Sequence, residues 1–232
     1  MPSLSLTRNA APAFATVVLD VDSTVTGIEG IDWLAERRGQ TVARRVATLT
    51  DEAMRGAIPL EQVYRTRLAY IRPRHEDLAA LSRAYVDAIA PDCVETVKRL
   101  RHAGVQVLLV SGGIRNAMLR LALHLDLDLG DVHAVDVRFD AMGAYVGFDE
   151  KSPLSTSAGK GVVVSSLSVA RPVLMVGDGV TDLAARASVD SFAAYTGFVH
   201  RESVVREADL VLHSFPELAD HVLGPHSSAE SP

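Results

Sequence analysis

Two hydrophobic patterns alternate along this chain. Short continuous apolar runs stand at Val17-Val18-Leu19, at Val105-Gln106-Val107-Leu108-Leu109-Val110 and at Pro172-Val173-Leu174-Met175-Val176. They are too short for helices and rich in β-branched residues, as strands buried on both faces are. The first of these strands is expected over residues 16–21, and weaker runs predict two more over 191–195 and 209–213. Elsewhere the apolar positions recur three and four residues apart, the period of an amphipathic helix. That spacing predicts helices over 28–39, 41–54, 59–71, 75–89 and 114–125, a short one over 180–187, and one opened by Pro91 and stopped by Gly104. Pro59 suits a helix start and Gly39 a helix end. Residues 132–148 hold two alternating segments around Met142-Gly143, the pattern of a β-hairpin. The stretch 160–169 reads two ways: Val162-Val163-Val164 favours a strand, whereas its length and Gly159-Lys160 favour a helix.

Strands alternating with helices imply an α/β fold, Rossmann-like, with a mostly parallel sheet covered on both faces. No strand-like run occurs between residue 23 and about residue 90, so this part reads as a helical bundle inserted after the first strand. The expected division is a core from 15–26 and 91–223, an insertion over 27–90 and a disordered polar tail over 224–232.

Composition narrows the function classes. The 232 residues are 48% hydrophobic and 22% charged, enough for a sizeable core. A net charge of −6 without any Lys/Arg block argues against a nucleic-acid partner. The one cysteine, Cys93, excludes an internal disulfide and a cysteine-based zinc cluster. Arg8 and the alanine-rich stretch after it faintly resemble a secretory signal, but that run continues into Asp20 and Asp22 without a cleavage region. Residues 1–14 are therefore read as a loose leader. No run of 18 uncharged apolar residues, the length a membrane span needs, occurs, and a cytoplasmic protein is expected.

The chemistry gathers where the apolar runs stop. Asp20 and Asp22 follow the first run one residue apart, so on extended backbone both carboxylates leave on one side. Two like charges that close are costly unless a cation or a raised pKa relieves them, and Mg²⁺ suits carboxylate oxygens. By themselves they could equally cap a strand and begin a turn. The second run ends in Ser111-Gly112-Gly113, a hydroxyl and two glycines whose N–H groups can approach an anion. The third ends in Gly177-Asp178-Gly179-Val180-Thr181-Asp182. Lys160 stands between Gly159 and Gly161, but the first glycine of a Walker loop is missing before it and Gly161 takes the place of the loop's Ser/Thr. In an open α/β sheet all these strand ends share one edge, where ligands bind. Four carboxylates, a hydroxyl, a lysine and backbone donors can hold Mg²⁺ and phosphate while leaving one carboxylate to attack phosphorus.

The order DxD, Ser, Lys, GDGxxD resembles the haloacid dehalogenase superfamily of aspartate-nucleophile phosphatases, and within it the phosphoserine phosphatase family. Further segments similar to that family are Glu29-Gly-Ile-Asp, Met54-Arg-Gly-Ala-Ile-Pro and Tyr145-Val-Gly-Phe-Asp-Glu, and the likeness covers about residues 16–215. The resemblance implies that Asp20 is the nucleophile and Asp22 the acid and base. It implies that Mg²⁺ is held by Asp20, Asp178 and the main chain of Asp22, and that Ser111, Gly112 and Lys160 bind phosphate. Asp182 would position Lys160 or a metal-bound water. Residues 27–90 become a helical cap and 132–148 a hairpin flap.

The resemblance also implies a small phosphomonoester substrate, O-phospho-L-serine, hydrolysed in the last step of serine biosynthesis. Glu29 would take its ammonium, Arg67 its carboxylate, and Met54 with Leu60 would form an apolar wall. Arg201 matches a late arginine of the family, with salt bridging an equal possibility. Ile28 and Leu60 depart from the family, which often has an acidic residue and an aromatic there. Another small phosphomonoester, transfer to an acceptor such as homoserine, or a catalytically idle phospho-ligand binder are the alternatives. The chain is expected to act as a monomer or homodimer.

Overall fold

A computed structural model describes residues 11–54 and 58–224, apart from the side chains of residues 51, 53, 54 and 60. The first apolar run forms β1 (Thr16–Leu19), whose residues are buried on both faces, which is why it lacks alternation. The four helices of the inserted stretch follow: α1 (Gly30–Glu36), α2 (Gln40–Met54), α3 (Leu60–Ile71) and α4 (His75–Asp87). The chain then runs through α5 (Cys93–His102), β2 (Gln106–Ile114), α6 (Arg115–His124), β3 (Val132–Val135), β4 (Val137–Phe139) and β5 (Tyr145–Phe148). It ends with α7 (Gly159–Ser166), β6 (Val173–Gly177), α8 (Val180–Leu183), β7 (Ser191–Tyr195), α9 (Glu202–Val205), β8 (Leu210–Leu212) and α10 (Phe215–Leu223).

Six strands make one parallel sheet in the order β3-β2-β1-β6-β7-β8. The strand order reverses between β1 and β6, which lie side by side, so their carboxyl ends open a crevice. Asp20 leaves β1 there with its N–H donating to Val176 O at 2.9 Å, and Asp178 leaves β6 beside it. Cys93 is a buried filler at the start of α5, as its helix position predicts.

Three local expectations change. The segment 132–148 is not one hairpin. Val132–Val135 form the outer strand of the large sheet, parallel to β2, and only β4 and β5 pair antiparallel. Both pieces alternate in sequence, but Val132, Ala134 and Val135 are buried on the core, a difference that period two cannot display. The ambiguous stretch 160–169 is helix α7, and the expected helix 180–187 shortens to one turn. β2 runs beyond the apolar run, through Ser111, Gly112 and Gly113 to Ile114, so these residues are themselves strand.

α1, α2 and α3 bring Ile31, Thr50, Tyr64 and Arg67 over the crevice. α1, α2 and α3 pack on one another, while α4 packs along α6 at the flank of the sheet. The β4–β5 hairpin ties to the same helices. Tyr64 of α3 packs on Phe148 with ring centroids 5.1 Å apart, and Arg65 reaches Glu150 through two bonds of 2.6 and 2.7 Å. At the other end His75 N–H donates to Gly143 O at 3.0 Å.

Candidate active site

One cavity of about 240 Å³ lies over the strand ends and is lined by residues of both layers. Its floor carries Asp20, Asp22, Ser111, Gly112, Lys160, Asp178 and Asp182; its roof carries Glu29, Thr50, Tyr64 and Arg67. Lys160 joins the floor carboxylates, its Nζ lying 2.6 Å from Asp20 Oδ1 and 2.5 Å from Asp182 Oδ1. All three groups are buried. Burial works against the ammonium, but Asp182 and Asp20 outweigh it and hold Lys160 protonated well above its ordinary range. Asp182 also accepts from Gly179 N–H at 2.9 Å. A Cβ on Gly177 would stand 2.2 Å from the Asp182 carboxyl carbon, so only glycine lets Asp182 lie this close to β6.

Asp20 is buried among like charges. Burial first, then the Asp182 charge, raise its pKa well above normal against the pull of Lys160. Asp178 is pushed up to about 6, again by burial and then Asp182, despite Arg201 Nε donating at 3.0 Å. One oxygen each from Asp20, Asp178 and Asp182 lie within 4.8 Å of one another. The cavity wall counts five carboxylates, Asp20, Asp22, Glu29, Asp178 and Asp182, against three cations, Lys160, Arg67 and Arg201. Carboxyl groups that outnumber the cations, crowded together as hard oxygen donors, fit Mg²⁺.

Asp22 stands apart from that cluster. Its Oδ1 accepts from Gly30 N–H at 2.7 Å and from Tyr85 OH at 2.8 Å, and Ser111 Oγ donates to Oδ2 at 3.3 Å. The carboxylate is thus committed toward α1 and α4, and any share of Asp22 in a cation site falls to its main chain. Burial raises its pKa, opposed by the bonds from Gly30 and Tyr85. Gly30 and Gly113 make this approach possible: a Cβ on Gly30 would meet Tyr85 OH at 1.9 Å, and one on Gly113 would meet Asp22 Oδ2 at 2.8 Å. Gly113 N–H donates to Ser111 Oγ at 2.9 Å, which aims the hydroxyl at the crevice.

Ser23 turns the chain from floor to roof. Its φ of +55° is left-handed, a strain of about 1 kcal/mol for a residue with a side chain, and its hydroxyl donates to Glu29 Oε1 at 2.7 Å. Glu29 is exposed as a residue at the cavity mouth, but its carboxyl lies inward and is pushed up to about 8 by burial and then the Asp22 charge. A carboxyl held protonated by the fold binds its proton more tightly folded than unfolded. Stability therefore falls as pH rises between the two pKa values. The melting temperature of the metal-free protein should drop from about pH 4.5 to about pH 8, and less steeply in Glu29→Gln. Equal slopes would show that Glu29 ionises as freely in the fold as in the unfolded chain.

Arg67 is buried on α3 with Nη1 donating to Thr50 Oγ1 at 3.2 Å. Its Nε and the Tyr64 hydroxyl are buried polar atoms without a hydrogen-bond partner among the described residues. Met54 ends α2, but its side chain and that of Leu60 lie outside the described residues, as does the segment 55–57. The site residues that sequence reasoning missed are Tyr64, Tyr85 and Thr50. All three sit on helices at positions that read as packing, and no sequence signal separates them from core.

A carboxylate-lined floor at the carboxyl ends of β1, β2 and β6, roofed by helices, defines a class. Residues 14–190 match the family model described as haloacid dehalogenase-like hydrolase. The phosphoserine phosphatase of Bos taurus is 38% identical over 221 residues, covering 94% of this chain and 97% of that protein. The Homo sapiens phosphoserine phosphatase is 38% identical over 205 residues, covering 87% and 90%. In fold, the chain is similar to a phosphoserine phosphohydrolase-like protein from Francisella tularensis, with a TM-score of 0.78, 22% identity and coverage of 88% and 98%. A structure described as a phospho-aspartyl intermediate analogue of phosphoserine phosphatase gives a TM-score of 0.76 at 24% identity, covering 90% and 98%. The chain belongs to the haloacid dehalogenase-like hydrolases and, within them, to the phosphoserine phosphatase family.

Proposed function

We propose that this chain is a Mg²⁺-dependent phosphatase that hydrolyses O-phospho-L-serine to L-serine and phosphate through an aspartyl-phosphate on Asp20, the last step of serine biosynthesis. The observation that carries the reading is one cavity with two unlike ends. Asp20, Asp22, Ser111 and Lys160 stand at the strand ends, and Glu29 and Arg67 face them from the helices. A phosphate with an ammonium and a carboxylate behind it matches that order of charges.

Asp20 attacks phosphorus, forming the new P–O bond as the bond to the serine oxygen breaks. Asp22 gives its proton to that departing oxygen; its raised pKa, set by burial, keeps a proton available. Water then attacks phosphorus, Asp22 takes its proton, and Asp20 is released. Lys160, Ser111 and the Gly112 backbone bind the phosphate oxygens and offset charge during transfer. Asp182 positions Lys160 through its 2.5 Å contact. Asp20 and Asp178, with Asp182 beside them, would hold Mg²⁺, which neutralises and polarises the phosphoryl group when bound.

The helices over 27–90 act as the cap, and the β4–β5 hairpin, held by the Arg65–Glu150 pair, acts as the flap. Closing the two over the substrate would exclude water from the transfer. In this reading the enzyme works in the cytoplasm as a monomer or homodimer; a single buried cysteine leaves no disulfide for a reducing compartment to break.

The test is phosphate release with Mg²⁺ from phosphoserine, phosphothreonine, homoserine phosphate, glycerol phosphate, phosphoglycolate and p-nitrophenyl phosphate. A kcat/KM for phosphoserine about a hundredfold above the rest, a preference of roughly 3 kcal/mol, is expected. A flat panel would remove phosphoserine as the substrate. Arg67→Ala should cut kcat/KM for phosphoserine by about tenfold or more and change p-nitrophenyl phosphate far less. Equal losses on both would remove the carboxylate-binding role.

A further inference from the structure

Two buried polar atoms in the cavity wall have no partner among the described residues, and they come from side chains three residues apart on α3: the Tyr64 hydroxyl and Arg67 Nε. That spacing puts both on one helix face. The Arg67 guanidinium carbon stands 5.8 Å from the centre of the Tyr64 ring. Tyr64 is 1% exposed and Arg67 is 8% exposed, and both residues line the cavity. Burying a hydroxyl and a guanidinium N–H unpaired is expensive, and folded proteins rarely tolerate one such group, still less two side by side. A ligand that brings an acceptor to both relieves the cost.

The acceptor's nature follows from the neighbours. Both free groups are donors: Arg67 has no acceptor atom, and burial raises the phenol well above its ordinary range, so it keeps its proton. The phosphate end of the cavity is supplied at the strand ends by Ser111 and Lys160, away from α3. Glu29 is itself an acceptor and serves a cation. A planar anion with two oxygens, placed at the α3 end, is what remains.

We infer that the Tyr64 hydroxyl reads the substrate's carboxylate together with Arg67, and so sets the preference for amino-acid phosphomonoesters over phosphomonoesters that lack the acid group. This rests on the phosphoserine reading above. The ring of Tyr64 is held by Phe148 at 5.1 Å, so the hairpin that carries Phe148 also places the hydroxyl. Selectivity and closure are therefore linked through one side chain.

Tyr64→Phe isolates the hydroxyl, because the ring and its contact with Phe148 survive. The measurement is kcat/KM for O-phosphoserine and for O-phosphoethanolamine, which keeps the phosphate and ammonium and lacks the carboxylate, together with the melting temperature. The ratio of the two kcat/KM values should fall about tenfold or more, mainly through KM for phosphoserine, since a hydrogen bond to a charged group is lost. The melting temperature should stay the same or rise, because a buried hydroxyl without a partner among the described residues has been removed. An unchanged ratio overturns the inference, and so does a lowered melting temperature with equal losses on both substrates, which would make the hydroxyl structural. Failure of the unsubstituted protein to act on phosphoserine would instead overturn the underlying reading, and the inference with it.

Discussion

Asp20→Asn is expected to lower kcat on phosphoserine by at least about a thousandfold, the scale of losing a nucleophile, while leaving the fold intact. The second half of that statement comes from electrostatics. Asp20 is buried against Asp182, Asp178 and Asp22, and its charged form is disfavoured in the folded protein. A neutral amide of the same shape removes repulsion, and Lys160 keeps Asp182 at 2.5 Å. The metal-free variant should melt at the same temperature as the unsubstituted protein or higher, the usual relation between a strained site and its function. Inorganic phosphate should still bind, because Ser111, Gly112 and Lys160 are untouched. Titration calorimetry with phosphate and a thermal melt check both points. A variant that no longer folds, or one that retains turnover, would contradict the account.

The second large effect is Asp22→Asn, and its signature depends on the leaving group. Loss of a positioned acid costs roughly 10²–10⁴ in rate when the departing alkoxide needs a proton. A serine oxygen needs one; p-nitrophenolate does not. Phosphoserine turnover should therefore fall by that factor at the first step. With p-nitrophenyl phosphate the first step should survive and the second, in which Asp22 activates water, should slow. Stopped-flow absorbance should then show a burst close to one p-nitrophenolate per enzyme, followed by slow release. Equal losses on the two substrates without a burst would remove Asp22 from the proton transfers. The bonds from Gly30 and Tyr85 to Oδ1 leave the Asn oxygen an acceptor's place, and its amide can donate to Ser111 Oγ, so misfolding does not explain such a result.

The placement of Asp20, Asp22, Ser111, Lys160, Asp178 and Asp182 around one crevice was legible in the sequence for a physical reason. Each lies at or near the end of an apolar run or beside glycines, and strand ends in a parallel sheet converge. Glu29 precedes α1 and Arg67 lies within α3, and both were legible only through resemblance to a family, because an acidic residue before a helix and an arginine within one are ordinary surface features. Tyr64 and Tyr85 were not legible at all. Helical spacing marks an aromatic as core, and both rings are core; what matters is where each hydroxyl ends, and only the packing of α3 and α4 over the sheet settles that. The edge strand β3 was hidden likewise, since alternation reads the same whether a strand joins a six-stranded sheet or a two-stranded flap. The side-chain commitment of Asp22 to α1 and α4, rather than to the Asp20–Asp178–Asp182 cluster, depends on Gly30 and Tyr85 arriving from the inserted helices.

The most direct test of the central claim is to catch the phosphoryl group. The protein, mixed with Mg²⁺ and excess O-phospho-L-serine, is quenched in acid during turnover, and its peptides are mapped by mass spectrometry with and without hydroxylamine treatment. The account predicts a phosphoryl group on the carboxyl of Asp20, discharged by hydroxylamine and absent from Asp20→Asn. A phosphoryl group on another residue, or steady phosphate release with no phosphorylated peptide and no burst, would contradict it.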